Sequence, residues 1–166
     1  MDDAKNRQYA RAPELEDLVA LCRALHEQNV QYILIGDFAV ILHGGIRGTK
    51  DIDLLIDPGP NNVQKIKKAL SKLPDNAIAL IQDDEVEKYA VVRVADEIVI
   101  DLMAKACGID YEKARQGIEY KTVEGVRIPI PKKELLIQMK DTLRDSDKMD
   151  VRFLKYQIEE EKKRGC

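Results

Sequence analysis

With 166 residues, 45% of them apolar and 34% charged, the chain has the make-up of one globular domain with room for a real core, which excludes disorder. A net charge of −3 argues against bulk electrostatic binding of nucleic acid. Two phenylalanines and no tryptophan argue against an aromatic platform on which bases could stack.

The polar start, MDDAKNRQYARAPELED, is not expected to be a signal peptide. Pro13 suits a first helical turn, and Leu15, Leu18, Val19, Cys22 and Leu25 then recur at helical spacing, facing inward together. Tyr32 to Ile35 reads as a short apolar strand ending at Gly36, followed by a brief helix from Phe38 to Leu42 that Gly44 and Gly45 close. This longest apolar stretch is too short to span a bilayer and carries Asp37, so no membrane association is expected. Asp51 to Ile56 is a strand stopped by Pro58-Gly59-Pro60, and Val63, Ile66, Leu70 and Leu73 mark a helix ended by Pro74. The pattern over 75–85 is ambiguous. Lys88 to Val94 and Glu97 to Met103 form a hairpin around an Ala95-Asp96 turn. A short helical piece follows Gly108, then strands from Glu119 to Val123 and Val126 to Ile130 joined at Glu124-Gly125. Beyond Pro131, Leu135, Leu136, Met139 and Leu143 form one helical stripe, and a last helix covers Asp147 to Lys163. Three scattered cysteines (Cys22, Cys107, Cys166) without a CxxC fit a reducing cytoplasm and neither a zinc site nor a disulfide framework. The order of elements predicts a mixed α/β (α+β) core over 1–130 and a helical extension over 131–166 packed on it.

The chemistry centres on Asp51-Ile52-Asp53-Leu54-Leu55-Ile56-Asp57. Side chains two apart on a strand point the same way, so Asp51 and Asp53 share one face while Ile52, Leu54 and Ile56 share the other. Aspartate is a poor strand former, and an edge strand with a wet face would explain two on one strand. A second strand shifts that balance. In Glu97-Ile98-Val99-Ile100-Asp101-Leu102-Met103, Asp101 sits deep in an apolar run, where an unpaired carboxylate is costly or turns neutral. If the two strands are neighbours, three carboxylates converge and cations must hold them. All-oxygen ligands favour Mg²⁺ or Mn²⁺ over zinc. Three carboxylates on rigid strands suit two metals about 3.5–4 Å apart and phosphoryl chemistry. Upstream, the strand–Gly36–helix turn leaves backbone N–H groups for an anion, and Asp37 is read as the N-cap of that helix.

The run Gly36-Asp37-Phe38-Ala39-Val40, then His43-Gly44, then Arg47-Gly48-Thr49-Lys50-Asp51-Ile52-Asp53-Leu54 resembles the signature of the DNA polymerase β-like nucleotidyltransferase superfamily. That signature is a glycine plus a small residue, a short helix, a strand with Asp-x-Asp, and a third aspartate on a later strand. Leu135-Leu136-Ile137-Gln138-Met139-Lys140, Arg144 and Lys148-Met149-Asp150 resemble the end of stand-alone prokaryotic members, among them minimal nucleotidyltransferases and abortive-infection toxin nucleotidyltransferases. The resemblance spans roughly residues 13 to 158, its specific motifs only 36–54, 101 and 140–150.

The resemblance implies a mixed twisted sheet flanked by helices. It also implies transfer of a nucleoside monophosphate from a Mg²⁺- or Mn²⁺-bound nucleoside triphosphate to a hydroxyl of a protein, a small molecule or a tRNA end. Asp51 and Asp53 would bind both metals and the phosphates. Asp101 would ligate the catalytic metal and help deprotonate the attacking hydroxyl, and Gly36 would let the triphosphate approach the backbone. Asp37, Arg47, Thr49 and Lys140 complete the expected nucleotide-binding set. Where the family carries Gly or Ser after the first glycine, this chain has Asp37. That departure supports a rival reading, a catalytically weak or inactive nucleotide-binding or interaction module with a partner protein, as in a toxin–antitoxin-like pair. A metal-dependent phosphohydrolase is a third reading, for which no water-positioning His or Glu stands out.

Plainer roles compete at single positions. Arg47 pairs equally well with Asp57 or solvent, Thr49 fits strand propensity, and Lys140, four residues before Arg144, suits a solvated face. His43 is expected to be structural and His26 at the surface. Lys65, Lys68 and Lys72 read as a charged helix face, and Tyr111, Tyr120 and Tyr156 as core-edge residues.

Overall fold

The structure, a computed structural model, describes residues 10–165, so the first nine residues of the polar start and Cys166 lie outside it. In chain order the main elements are α1 (Leu15–Glu27), β1 (Tyr32–Ile35), α2 (Gly36–Leu42), β2 (Asp51–Ile56), α3 (Pro60–Leu70), α4 (Glu85–Lys88), β3 (Val92–Ala95) and β4 (Val99–Met103). They continue with β5 (Lys105–Ala106), β6 (Ile109–Asp110), α5 (Tyr111–Ala114), β7 (Ile118–Val123), β8 (Val126–Pro131), α6 (Lys133–Met139) and α7 (Asp145–Arg164). A four-stranded mixed sheet runs β1-β2-β4-β3, with β2 and β4 parallel and the other pairs antiparallel. The β7–β8 hairpin turns at Glu124 and Gly125, both with positive φ (48° and 80°), and β8 lies beside β1.

Alternation along the strands decides what covers each face. On one side Leu34, Ile52, Leu54, Ile56, Ile100 and Leu102 join Leu18, Leu25, Ile66, Leu70, Leu136 and Leu154 in one apolar cluster beneath α1 and α3. Each such fully buried side chain is worth about 1.5–3 kcal/mol, and a slip of one residue would turn the set out to water. On the other side Ile33, Ile35 and Leu55 pack under Ile109, Tyr111 and Met139. That cover stops short of the start of β2, and the uncovered stretch of this face is where the acidic residues stand.

Several expectations need correction. β2 is an interior strand between β1 and β4, so the wet-edge explanation of its two aspartates fails. The hairpin turn is not Ala95-Asp96 but the three residues 96–98, because Ala95 pairs with Val99. Asp96 organises it, being buried and accepting from the backbone N–H groups of Glu97 (2.8 Å), Asp75 (3.0 Å) and Ala77 (2.9 Å). It thereby also anchors the 3-10 turn Ala77–Leu80 in the stretch that sequence left ambiguous, and Lys88 belongs to α4 rather than to a strand. α6 ends at Met139, which leaves Leu143 91% exposed instead of completing an apolar stripe. α1 opens at Leu15, itself exposed. Tyr120 and Tyr156 are exposed too, Tyr120 beneath the Arg127 guanidinium at 4.3 Å from its ring centre, whereas Tyr111 is buried. His43 is structural as expected, its Nε2 bonded to the Pro131 carbonyl at 2.8 Å, and His26 is exposed, with Nε2 2.8 Å from the Tyr32 hydroxyl.

Candidate active site

The parallel pairing of β2 with β4 sets Asp53 directly beside Asp101, and Asp51 lies two residues away on the same face. One carboxylate oxygen from each of Asp51, Asp53 and Asp101 lies within 4.8 Å of the others. They stand at the wall of a cleft of about 1210 Å³ that Gly36, Asp37, Arg47, Thr49, Arg93 and Lys140 also line, with Ile35, Met103 and Met139 supplying apolar surface.

Three like charges on two neighbouring strands perturb one another. Burial, then the charges of Asp51 and Asp101, push the Asp53 carboxyl up to about 8. Burial and the charge of Asp101 raise Asp51 as well, against the opposing pull of Arg93. Gly36 is fitted to this crowding. It takes φ +70°, and a Cβ there would sit 2.1 Å from Asp53 Oδ2. What the structure makes of Gly36 is therefore room for an aspartate side chain, in addition to any approach of a ligand to the backbone.

Arg93, which sequence reasoning passed over, supplies a counter-charge. It stands on β3 directly opposite Asp101. Its Nε and Nη2 donate to the two oxygens of Asp101 at 2.9 Å each, and Nη2 also reaches Asp51 Oδ2 at 3.4 Å. A turn at Ala95-Asp96 would have set Arg93 opposite Ile98, so the misplaced turn hid this pair.

A second charge network lines the same cleft. Lys140 is buried, against the solvated-face reading, and its Nζ reaches Asp150 (2.8 Å), Asp147 (3.3 Å) and Asp37 (3.4 Å). Burial alone would lower its pKa, but the hydrogen bond to Asp150 and the three carboxylate charges outweigh that and hold it above the usual lysine value. Arg47 binds both oxygens of Asp150 at 2.5 Å and Asp37 at 3.4 Å, so neither Asp57 nor solvent is its partner. Asp150 therefore ties the last helix to the loop before β2, while Asp147, three residues earlier on α7, holds Lys140 and the Thr142 hydroxyl; their shared helical face was the signal available in sequence. Asp37 is not the N-cap of α2, which is Ile35; its carboxylate meets Lys140, Arg47 and the Thr49 hydroxyl (3.4 Å) instead. Thr49 Oγ1 donates to the Asp51 carbonyl at 2.9 Å, which steadies the entry to β2. Arg144 is largely exposed, at the rim.

No protein-family model and no curated protein matches the chain. Among solved structures it is similar to the crystal structure of a candidate nucleotidyltransferase from Thermotoga maritima, at 16% identity and a TM-score of 0.54 over 88% of this chain and 92% of that one. The likeness shows a nucleotidyltransferase-like fold. No helix among the described residues is long and apolar enough to cross a membrane.

Proposed function

We propose that the protein is a metal-dependent nucleotidyltransferase that moves a nucleoside monophosphate from a nucleoside triphosphate to a hydroxyl acceptor and releases pyrophosphate. The observation that carries this reading is the meeting of Asp51, Asp53 and Asp101 within 4.8 Å on adjacent strands of a sheet whose fold matches a candidate nucleotidyltransferase. The donor set is all oxygen, burial and the charges of Asp51 and Asp101 raise Asp53 strongly, and such a set fits Mg²⁺ or Mn²⁺. When bound by these residues, the metal supplies neutralisation of the triphosphate charge and a lowered acceptor pKa. The remaining work falls to the chain. Asp101, on the central strand β4, is the residue nearest in chemistry to a proton acceptor for the attacking hydroxyl once its own charge pairing is loosened. Lys140 and Arg47 carry the positive charge for the phosphates, Thr49 and Asp37 hold the entry to β2 in place, and Gly36 keeps Asp53 in reach. Residues 131–166 act in this reading as an extension whose Lys140, Asp147 and Asp150 complete the cleft. The acceptor is a protein, a small molecule or a tRNA end, met in the cytoplasm.

Incubation with each of the four α-labelled triphosphates and Mg²⁺ or Mn²⁺, with and without cell extract, tests the reading. Labelled product together with pyrophosphate supports it, and Asp53→Asn must abolish both. Binding of triphosphate without any product would replace the enzyme by the nucleotide-binding module.

A further inference from the structure

Arg93 lines the cleft and has no part in the proposed chemistry. Its guanidinium sits where positive charge is most needed, as a fork across both oxygens of Asp101 with a weaker reach to Asp51. An arginine stays charged at any pH the protein meets, so this pairing cannot be relieved by titration. It can only be relieved by movement. A metal drawn to Asp51, Asp53 and Asp101 brings a second positive charge to oxygens that the guanidinium already holds, and the two cations repel. The metal has the stronger claim, since it alone can engage all three carboxylates.

Movement is open to Arg93. Its side chain is 59% exposed, it stands on β3, the outer strand of the sheet, and it lines the same cleft as Gly36 and Lys140. Asp101 is 7% exposed on a central strand and stays where it is. A displaced guanidinium thus remains tethered at the mouth of the cleft, free to take up a new anion. A triphosphate neutralised only in part by metal offers one of the right geometry, because a phosphate accepts the same two-pronged donor set as a carboxylate.

We propose that Arg93 is a phosphate-contacting residue held on Asp101 and Asp51 until metal displaces it, so that it opposes metal alone and favours the metal–triphosphate complex. This rests on the reading of the three aspartates as metal ligands. A residue serving only to stabilise the sheet would not move the two affinities in opposite directions.

The test compares wild type, Arg93→Ala and Arg93→Lys as full-length chains in calorimetric titrations, first with Mn²⁺ alone and then with Mn²⁺–tripolyphosphate, a probe that needs no knowledge of the base. A charge-assisted hydrogen-bond pair predicts that Arg93→Ala binds Mn²⁺ about tenfold more tightly and Mn²⁺–tripolyphosphate about tenfold more weakly, with Arg93→Lys between the two proteins in both titrations. Unchanged or weaker Mn²⁺ binding by Arg93→Ala overturns the proposal, and so does unchanged or tighter binding of the polyphosphate. If Arg93→Ala does not fold, the Nε–Hε NMR signal of Arg93 in wild type decides: saturation with Mg²⁺ must shift it, and a signal that stays in place overturns the proposal. Failure of both wild type and Arg93→Ala to bind Mn²⁺ would instead bring down the metal site itself, an outcome distinct from equal binding by the two.

Discussion

Replacing Asp53 by Asn removes a charge that the metal-free fold disfavours. Its carboxyl titrates at 3.8 in an unfolded chain and at about 8 in the fold, because burial and the neighbouring Asp51 and Asp101 oppose its ionisation. The folded state therefore holds a proton that the unfolded state gives up between these values, and stability falls as pH rises through that window. Each pH unit costs ~1.4 kcal/mol, so by pH 7 the loss from this one group reaches about 4 kcal/mol, to be set against a typical total of 5–15. An Asn of the same shape does not titrate and escapes the loss. Urea denaturation of metal-free wild type and Asp53→Asn at pH 5, 7 and 8, with chelator present, measures the difference. Wild type should weaken steadily across the series. The variant should weaken less, keeping the slope that the raised Asp51 contributes against the opposite slope from the lowered His26 and His43, and should be the more stable protein at pH 8. Added Mn²⁺ should raise the stability of wild type and leave the variant unmoved. A variant less stable than wild type at pH 8, or one with an undiminished pH slope, would show Asp53 to be a structural carboxylate and refute the reasoning.

Gly36→Ala would place a methyl 2.1 Å from Asp53 Oδ2 on a backbone at φ +70°; it should cost about 2 kcal/mol or more in thermal or urea melts and abolish Mn²⁺ binding by displacing Asp53. Lys140→Met would leave Asp37, Asp147 and Asp150 without the cation they share, and a loss of roughly 3–5 kcal/mol is expected in urea denaturation, with α7 exchanging amide hydrogens faster. Asp37→Ser would release Arg47 and Lys140 from a carboxylate that also opposes the triphosphate. At ~5 Å and an effective dielectric of ~20 that opposition is roughly 3 kcal/mol, much of it cancelled by metal, so calorimetry should show about tenfold tighter binding of a non-hydrolysable Mg²⁺–triphosphate analogue. Weaker binding would make Asp37 a metal ligand.

What the sequence by itself determined is local. Alternation over 51–56 and 97–103 assigns every side chain of β2 and β4 to a face, because a strand repeats every two residues whatever surrounds it, and that suffices to put Asp51 with Asp53 and to leave Asp101 in need of a partner. The Gly36 turn and the Glu124-Gly125 hairpin are likewise legible, since a left-handed backbone selects its residues locally. Tertiary structure decided the rest. That β2 and β4 are parallel neighbours joins residues 53 and 101, and no local pattern encodes which strands adjoin. The register of β3 depends on a three-residue turn held by a buried Asp96, whose bonds to Asp75 and Ala77 cross a stretch the pattern left unread. That register puts Arg93 against the acids, where a turn at Ala95-Asp96 would have set it opposite Ile98. Lys140 has the composition of a surface residue, and only the docking of α7, which brings Asp147 and Asp150 onto it, turns it into a buried cation. Charge pairing of this kind is set by which surfaces meet, a property of the packed chain rather than of any segment in it.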